Sequence, residues 1–194
     1  MSERQYPALS LYISGYECPY VRSTFPAGEV HIRLNYLTEM QVGERPSARI
    51  VANIRSSDDV MALLMLTDAA RRMYDLAKLE LMIPYFPYAQ QDRVCAPGEA
   101  LSSRVMCDLI NSQNYDSVTV WDPHSDVVPA MLNKVVVWQQ KTLLSRLPNA
   151  FDNAIFVAPD AGALKKVQSI SVLFKRPFIR ADKSRNPETG EVTG

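Results

Sequence analysis

Two short polar motifs carry the side chains of this chain that are best suited to chemistry. The first, YFPYAQQDR, ends at Arg93, and the second, DPHS, contains Asp122 and His124. A guanidinium can hold a phosphate group through two parallel hydrogen bonds. A carboxylate and an imidazole together can hold a divalent cation or polarise a phosphate oxygen. Residues of these types are compatible with chemistry on a phosphorylated ligand.

Both motifs directly follow apolar segments that we predict to be buried strands. Residues 79–84 precede the first motif, and residues 117–121 precede the second. Open α/β sheets bind their ligands in the crevice at the carboxyl ends of the strands. The polar side chains of both motifs should therefore lie at ligand-binding ends of strands.

Strands and helices alternate along the rest of the chain, which indicates βαβ units and a mainly parallel sheet. Further strands are predicted at residues 9–13, 30–34, 50–54, 134–137, 154–158 and 178–180. The segment 30–34 alternates apolar and polar residues, so it is expected near an edge of the sheet. Helices are predicted from the acidic turn at residues 56–59 to about Lys78, from about Ser102 onwards, and through residues 165–167.

Composition and charge exclude several classes of protein. The chain has 21 Lys and Arg against 21 Asp and Glu, so no global field recruits nucleic acid or an acidic membrane. Its three cysteines are far apart, which favours a reducing compartment over a disulfide scaffold. No apolar run approaches the ~18 residues of a membrane span, and the N-terminus lacks an apolar signal core. We expect a cytoplasmic protein that binds neither nucleic acid nor membrane.

The pair of motifs resembles the phosphoribosyl pyrophosphate synthetase (ribose-phosphate pyrophosphokinase) family, whose members typically read YFxYARQDR and then DLH. The resemblance implies an α/β protein with two tandem phosphoribosyltransferase-like βαβ domains and mainly parallel sheets. We predict an N-terminal ATP-binding domain over residues 1–148 and the start of a C-terminal domain over residues 149–194. The second domain is expected to be incomplete, because the family's acidic acceptor loop is not found in these 194 residues.

The resemblance implies how the chain would hold a nucleotide. The segment FPAGE resembles the family's FxDGE loop, which reaches the adenine across a subunit interface, so a homo-oligomer is expected. Here Ala27 replaces the family's Asp, and Gln90 replaces the Arg of an Arg-Gln pair that contacts ATP. The implied nucleotide-binding residues are Phe25, Gly28, Glu29, Gln90, Gln91, Asp92 and Arg93.

The resemblance also implies a Mg²⁺ site and a catalytic loop. In DPHS, Pro123 stands where the family has Leu. The segment APDAG resembles the family's SPDxGG turn, whose Asp belongs to the metal site and can also cap the following helix. The segment DKSR resembles the flexible catalytic loop, whose cations stabilise the transferring diphosphoryl group. The implied metal residues are Asp122, His124 and Asp160, and the implied catalytic residues are His124, Lys183 and Arg185.

From the residues alone, plainer interpretations stay open. Asp92 and Arg93 can form an ion pair in a surface loop, and a lone histidine such as His124 is usually bonded to a backbone carbonyl. The segment DKSR is also typical of a polar loop with a cluster of charges. The only other histidine, His31, is expected to be structural.

Three functions are compatible with the resemblance. The first is transfer of the diphosphoryl group of Mg·ATP to the 1-hydroxyl of ribose 5-phosphate, which gives phosphoribosyl pyrophosphate and AMP. The second is the same chemistry on ADP-ribose or another ribosyl phosphate. The third is a non-catalytic regulatory subunit of synthetase oligomers. Without the acceptor loop, we expect the isolated chain to bind ATP weakly and to transfer nothing.

Overall fold

The computed structural model describes residues 7–147, 151–181, 184–185 and 192–193. The chain forms two compact units, Met1–Val137 and Trp138–Gly194. The predicted domain boundary at residues 148–149 lies outside the described residues. Within the described ranges, no helix is both long and apolar enough to cross a membrane.

A six-stranded, mainly parallel sheet forms the centre of the first unit. The elements in chain order are β1 (Leu9–Ile13), β2 (Tyr16–Glu17), β3 (Tyr20–Thr24), β4 (Val30–Leu34), α1 (Glu39–Val42), β5 (Ser47–Ala52), α2 (Ser57–Met73), β6 (Lys78–Ile83), α3 (Ser102–Ser112), β7 (Ser117–Trp121), α4 (Val127–Met131) and β8 (Val135–Trp138). The strand order in the sheet is β2-β1-β5-β6-β7-β8. β5, β6 and β7 are parallel, whereas β1 is antiparallel to both β2 and β5.

Alternating residues of the strands and one face of each long helix form a single hydrophobic core. In β6, Leu79, Leu81 and Ile83 are buried, because successive side chains of a strand point to opposite faces of the sheet. α2 and α3 contribute further buried residues to the same cluster, among them Leu63, Leu66, Met106 and Ile110. Full burial of each large aliphatic side chain contributes about 1.5–3 kcal/mol.

The beginning of α2 is fixed by a reciprocal pair of hydrogen bonds. The Asp59 amide donates to Ser56 Oγ at 3.2 Å, and the Ser56 amide donates to Asp59 Oδ2 at 3.1 Å. This capping box satisfies two amides that the helix itself leaves unpaired, so the predicted helix start is confirmed. The predicted end near Lys78 is wrong. The helix ends at Met73, because Tyr74 is extended and Lys78 already belongs to β6.

β3 and β4 form a separate antiparallel hairpin that contacts α2. The prediction of a strand at residues 30–34 is confirmed, but its expected place near an edge of the main sheet is wrong. In the part of the chain that the structure describes, β4 pairs with β3 alone. The alternating pattern arises because Ile32 is buried against the core while its neighbours His31 and Arg33 are exposed. Alternation thus identified the strand without identifying its partner.

The second unit contains one βαβ motif. Its elements are α5 (Gln140–Leu144), β9 (Phe156–Ala158), α6 (Leu164–Phe174), β10 (Phe178–Arg180), β11 (Ser184–Arg185) and β12 (Val192–Thr193). β9 and β10 pair in parallel on either side of α6 in the sequence, which confirms the predicted second unit of this kind. The Phe151 ring centroid lies 4.9 Å from that of Phe174 and 5.5 Å from that of Phe156.

Candidate functional site

The two polar motifs lie at the same edge of the main sheet. β6 ends at Ile83 and β7 ends at Trp121, and the two strands are parallel neighbours. Their carboxyl ends therefore meet at one edge, and each motif begins within two residues of a strand end. The predicted position of both motifs is confirmed.

A hydrogen bond between side chains joins the two motifs. Ser125 Oγ donates to Asp92 Oδ2 at 2.7 Å, and Arg93 Nε donates to Asp92 Oδ1 at 2.9 Å. The hydrogen bonds from Arg93 and Ser125, together with the charge of Arg93, outweigh the effect of burial and lower the pKa of Asp92 to about 2. Asp92 is therefore a charged anchor between the loops.

Arg93 combines this contact with an accessible side chain. The Asp92 side chain is 5% exposed, whereas the Arg93 side chain is 75% exposed. The predicted ion pair in a surface loop is present. A guanidinium carries five N–H donors, so a bond from Nε to Asp92 still allows its outer nitrogens to contact a phosphate.

Asp122 turns the chain out of β7. Its φ is 40°, in the left-handed region that Asp tolerates better than most residues. Its side chain is half-buried, while the His124 side chain is exposed. The turn leads into the loop in which His124 stands next to Ser125, the residue that bonds to Asp92.

Gln91 fastens the first motif to the beginning of α3. Its side-chain oxygen accepts a hydrogen bond from Ser102 Oγ, and its backbone carbonyl accepts one from the Ser103 amide at 3.3 Å. Because the side-chain carbonyl is engaged, the group of Gln91 best suited to a further partner is its amide NH₂. Gln90 is exposed.

The first motif contains one buried and one exposed aromatic side chain. Phe86 is buried, whereas the Tyr88 side chain is half exposed and its φ is 60°. The Tyr88 hydroxyl lies 3.3 Å from Ser57 Oγ at the start of α2. A pocket of about 360 Å³ adjoins it, lined by apolar side chains of α2 and α3 and by Ser57, Tyr88 and Ser102. Phe86 therefore packs the loop against the core, and Tyr88 forms part of the exposed surface of the loop.

The tip of the β3–β4 hairpin carries the predicted adenine-binding segment. The Phe25 amide donates to the Glu29 carbonyl at 2.9 Å, and the Gly28 amide donates to the Phe25 carbonyl at 2.8 Å. Gly28 has a φ of 90°, which a residue with a Cβ adopts only with strain. Phe25 is 50% exposed, and its ring centroid lies 5.2 Å from that of His31. The tip thus presents an aromatic ring to solvent.

Asp160, in the second unit, bonds to the turn that precedes α6 and does not cap the helix, whose N-cap residue Ala163 has no side-chain cap. It lies just past β9, and its Oδ1 accepts a hydrogen bond from the Ala163 amide at 2.9 Å. A Cβ added at Gly162 would lie 3.3 Å from the same oxygen, which explains the small residue there. Lys183 lies outside the described residues, and Arg185 lies in β11.

The described residues contain no group of three or more His, Cys, Asp or Glu side chains placed to hold a metal ion. Within the described residues of the first unit, Asp122 and His124 therefore do not belong to a metal site made by protein side chains alone. Mg²⁺ often binds through one or two carboxylates, with waters and substrate phosphates as its other ligands. Asp122 supplies a carboxylate, the type of protein ligand that such an ion binds.

Sequence reasoning missed three hydroxyl groups that organise the site. Ser125, Ser102 and Ser57 contact Asp92, Gln91 and Tyr88, respectively. Serine is common in loops and at helix starts, so its presence alone carries little information. The usable signal for Ser125 was its position beside His124, on the loop that must face the first motif once β6 and β7 pair.

Comparison with known proteins identifies the family. The sequence profile described as the N-terminal domain of ribose phosphate pyrophosphokinase matches residues 16–113, slightly more than half of the chain. These residues include the hairpin tip and the first polar motif. The chain belongs to the ribose-phosphate pyrophosphokinase family.

Individual relatives are similar at low identity. The chain is 27% identical over 135 residues to ribose-phosphate pyrophosphokinase 1 of Lactococcus lactis, which covers 66% of this chain and 41% of that protein. It is 25% identical over 165 residues to the ribose-phosphate pyrophosphokinase of Pyrococcus furiosus, covering 83% of this chain and 56% of the relative. The chain thus spans about half the length of these relatives.

A solved structure supports the fold. The crystal structure of phosphoribosylpyrophosphate synthetase from Mycobacterium smegmatis matches with a TM-score of 0.68 at 21% sequence identity. The match covers 91% of this chain and 59% of that chain. The predicted fold class, α/β and phosphoribosyltransferase-like with a mainly parallel sheet, is confirmed.

Proposed function

We propose that the first unit binds Mg·ATP at the carboxyl edge of its sheet, as the nucleotide-binding part of a ribose-phosphate diphosphokinase. The observation that carries the proposal is the Ser125–Asp92 hydrogen bond, which ties together two motifs of the family. It holds the accessible Arg93 beside the loop that presents His124. Arg93 and His124 therefore lie at the same edge of the sheet.

The reaction is transfer of an intact diphosphoryl group. The 1-hydroxyl oxygen of ribose 5-phosphate attacks the β-phosphorus of ATP and loses its proton. The bond from the β-phosphorus to the oxygen shared with the α-phosphate breaks, and AMP leaves. Such transfers depend on positioning and on charge stabilisation more than on covalent catalysis.

Each residue of the edge has a role in this proposal. Arg93 contacts phosphate oxygens, Asp92 holds Arg93 and the Ser125 loop, and the Gln91 amide donates to the nucleotide. Asp122 and His124 would hold Mg²⁺. Bound Mg²⁺ supplies positive charge to the phosphate oxygens of the nucleotide.

The hairpin tip supplies the base-binding part of the site. Phe25 offers a ring for stacking, and Glu29 offers an acceptor to a base or ribose donor. In the family this loop reaches a neighbouring subunit, so we propose that the chain forms a homo-oligomer. In this proposal Lys183 and Arg185 are the catalytic cations that stabilise the diphosphoryl group during its transfer.

A regulatory, non-catalytic role is the second candidate. It is favoured by Ala27 and Gln90, which replace two residues that contact ATP in the family. Such a chain would associate with an active synthetase and change its activity without binding Mg·ATP itself.

The test is a titration of the ¹⁵N-labelled chain with Mg²⁺ and a non-hydrolysable ATP analogue, followed by NMR. We expect saturable shifts of amide signals in the two polar motifs, with weaker affinity in Arg93→Gln. Arg49→Gln is the matched control, because Arg49 forms a similar exposed ion pair with Glu80 on the sheet, 2.7 Å between Nη2 and Oε2. An absence of shifts in both motifs at saturating Mg²⁺ and analogue would reject the proposal.

A further inference from the structure

The β3–β4 hairpin has a firm base and an exposed stem. At its base, the Tyr20 hydroxyl donates to the Leu9 carbonyl at 2.9 Å, and Ile32 is buried in the core. From Val21 to Thr24 every residue of β3 is exposed. A two-stranded ribbon is marginally stable by itself in water. The direction of the tip therefore depends on contacts that the stem makes with the rest of the unit.

One such contact is an ion pair between the stem and α2. Arg22 Nη1 donates to Asp59 Oδ1 at 2.6 Å. The Arg22 side chain is 31% exposed and the Asp59 side chain only 8%. A pair of two exposed side chains contributes little to stability, but a carboxylate removed from water is strongly disfavoured without its partner. Asp59 therefore holds Arg22 in a defined position.

Both carboxylate oxygens of Asp59 accept hydrogen bonds. While Oδ1 accepts from Arg22, Oδ2 accepts from the Arg55 amide at 3.0 Å and the Ser56 amide at 3.1 Å. Burial raises the pKa of Asp59, but the bonds from Arg22, Arg55 and Ser56 outweigh it, so that the pKa is lowered overall. The carboxylate is thus a charged group shared between the capping box of α2 and the hairpin.

The same turn of α2 also contacts the first polar motif. Ser57 Oγ lies 3.3 Å from the Tyr88 hydroxyl. The start of α2 is therefore bonded both to the stem of the hairpin and to the loop that contains Gln91 and Arg93. Each of these two segments carries part of the proposed nucleotide-binding set.

We propose that Arg22 and Asp59 are positioning residues that set the direction of the hairpin tip, and so place Phe25 and Glu29 for the nucleotide. The inference rests on the proposed function for the identity of the ligand. It holds whichever copy of the chain provides the rest of the site, because the pair fixes the tip relative to its own α2. Neither residue contacts the nucleotide in this account.

The test uses the full chain labelled with 4-fluorophenylalanine, with the ¹⁹F signal of Phe25 identified through Phe25→Leu. In Arg22→Gln we expect this signal to shift and narrow as the tip gains freedom, while the signal of Phe86 stays unchanged. The Kd for Mg²⁺ and the ATP analogue should rise about tenfold, the loss expected for one charge-assisted contact. Arg22→Lys should bring both the Phe25 signal and the Kd part of the way back to their original values. Arg49→Gln should change neither the signal nor the Kd.

A double-mutant cycle separates positioning from general destabilisation. Asp59→Asn keeps an oxygen for the amides of Arg55 and Ser56 but removes the charge that holds Arg22. Combining it with Arg22→Gln should add little to the shift of the Phe25 signal caused by either change alone. Additive shifts, or a Phe25 signal unchanged in Arg22→Gln, would overturn the inference. If the unaltered chain does not bind the analogue, the proposed function fails, and the ¹⁹F signal alone decides whether the pair positions the tip.

Discussion

The carboxyl edge of the main sheet and the tip of the β3–β4 hairpin are held in place by different means. The edge follows from two parallel strands whose residues are packed in the core, and its loops are tied by the Ser125–Asp92 bond. The tip is a turn on an exposed ribbon, and its stem is held to α2 by the Arg22–Asp59 pair. Packing of the sheet thus positions the two polar motifs, whereas the exposed part of the hairpin stem is tied to α2 by a polar contact.

This contrast predicts different consequences for changes in the two regions. A substitution at the edge should impair both the binding and the reaction of the phosphates, whereas a change in the hairpin should mainly weaken nucleotide binding. The predictions that follow probe this difference, beginning with the largest expected effect.

The largest effect is expected from His124→Ala, measured in a protein that contains this unit and has ribose-phosphate diphosphokinase activity. Loss of a group that holds the metal or polarises a phosphate should lower kcat by a factor of about a thousand. The melting temperature should stay unchanged, because the His124 side chain is exposed. Near-normal turnover at saturating Mg²⁺ would show that His124 is not a metal residue.

A large loss of stability is expected from removing core support of the edge. Leu81→Ala in β6 should lower the free energy of unfolding by about 2–5 kcal/mol, because the side chain is 1% exposed and leaves a cavity. Val21→Ala in the hairpin stem is the comparison, since Val21 is 42% exposed, and it should change stability by less than about 0.5 kcal/mol. Urea unfolding followed by circular dichroism measures both. Similar losses in the two variants would remove the distinction between a packed edge and an exposed stem.

A smaller effect concerns the pH dependence of the link between the loops. The pKa of Asp92 is about 2, below its ordinary value of 3.8, so the carboxylate stabilises the folded chain above pH 3.8. That contribution is lost as the pH falls from 3.8 towards 2. Ser125→Ala removes one of the lowering bonds, so the carboxyl carbon of Asp92 should titrate at a higher pH in an NMR experiment. An identical titration in both chains would mean that Ser125 does not bond to Asp92 in solution.

The smallest effect is expected at the exposed pair used as a control. Arg49→Gln should change the free energy of unfolding by about 0–1 kcal/mol, as is usual for surface ion pairs. Arg49 is half exposed and bonds to Glu80 on the sheet. Calorimetric melting of Arg49→Gln and of Arg22→Gln measures the loss of stability in each variant. It thereby compares the surface pair Arg49–Glu80 with the pair Arg22–Asp59, whose carboxylate is buried. An equal or larger loss in Arg49→Gln would show that burial of Asp59 does not distinguish the two pairs.

The regular elements of the fold were predictable because their signals are local. The strands at residues 9–13 and 117–121 were predicted with their observed bounds, and the acidic turn at residues 56–59 marked the start of α2. The partner of β4 was not predictable, since strand pairing depends on long-range packing that a short alternating segment does not encode. The motif positions at the sheet edge followed from the strands before them.

The contacts within the site were less accessible to sequence reasoning. Arg22 and Asp59 are 37 residues apart and belong to a strand and a helix, and no local pattern connects them. The link from Ser125 to Asp92 required knowing that β6 and β7 are neighbours. The roles of Lys183 and Arg185 stay predictions, as do the metal roles of Asp122, His124 and Asp160.

The most direct test of the central claim replaces Mg²⁺ with paramagnetic Mn²⁺ in the presence of the ATP analogue. Amide signals close to the bound ion lose intensity in the NMR spectrum of the ¹⁵N-labelled chain. The account predicts selective loss in the DPHS loop and around Asp92 and Arg93, and recovery when excess Mg²⁺ displaces the ion. Selective loss elsewhere in the chain, with both polar motifs unaffected, would contradict a metal–nucleotide site at the carboxyl edge of the sheet.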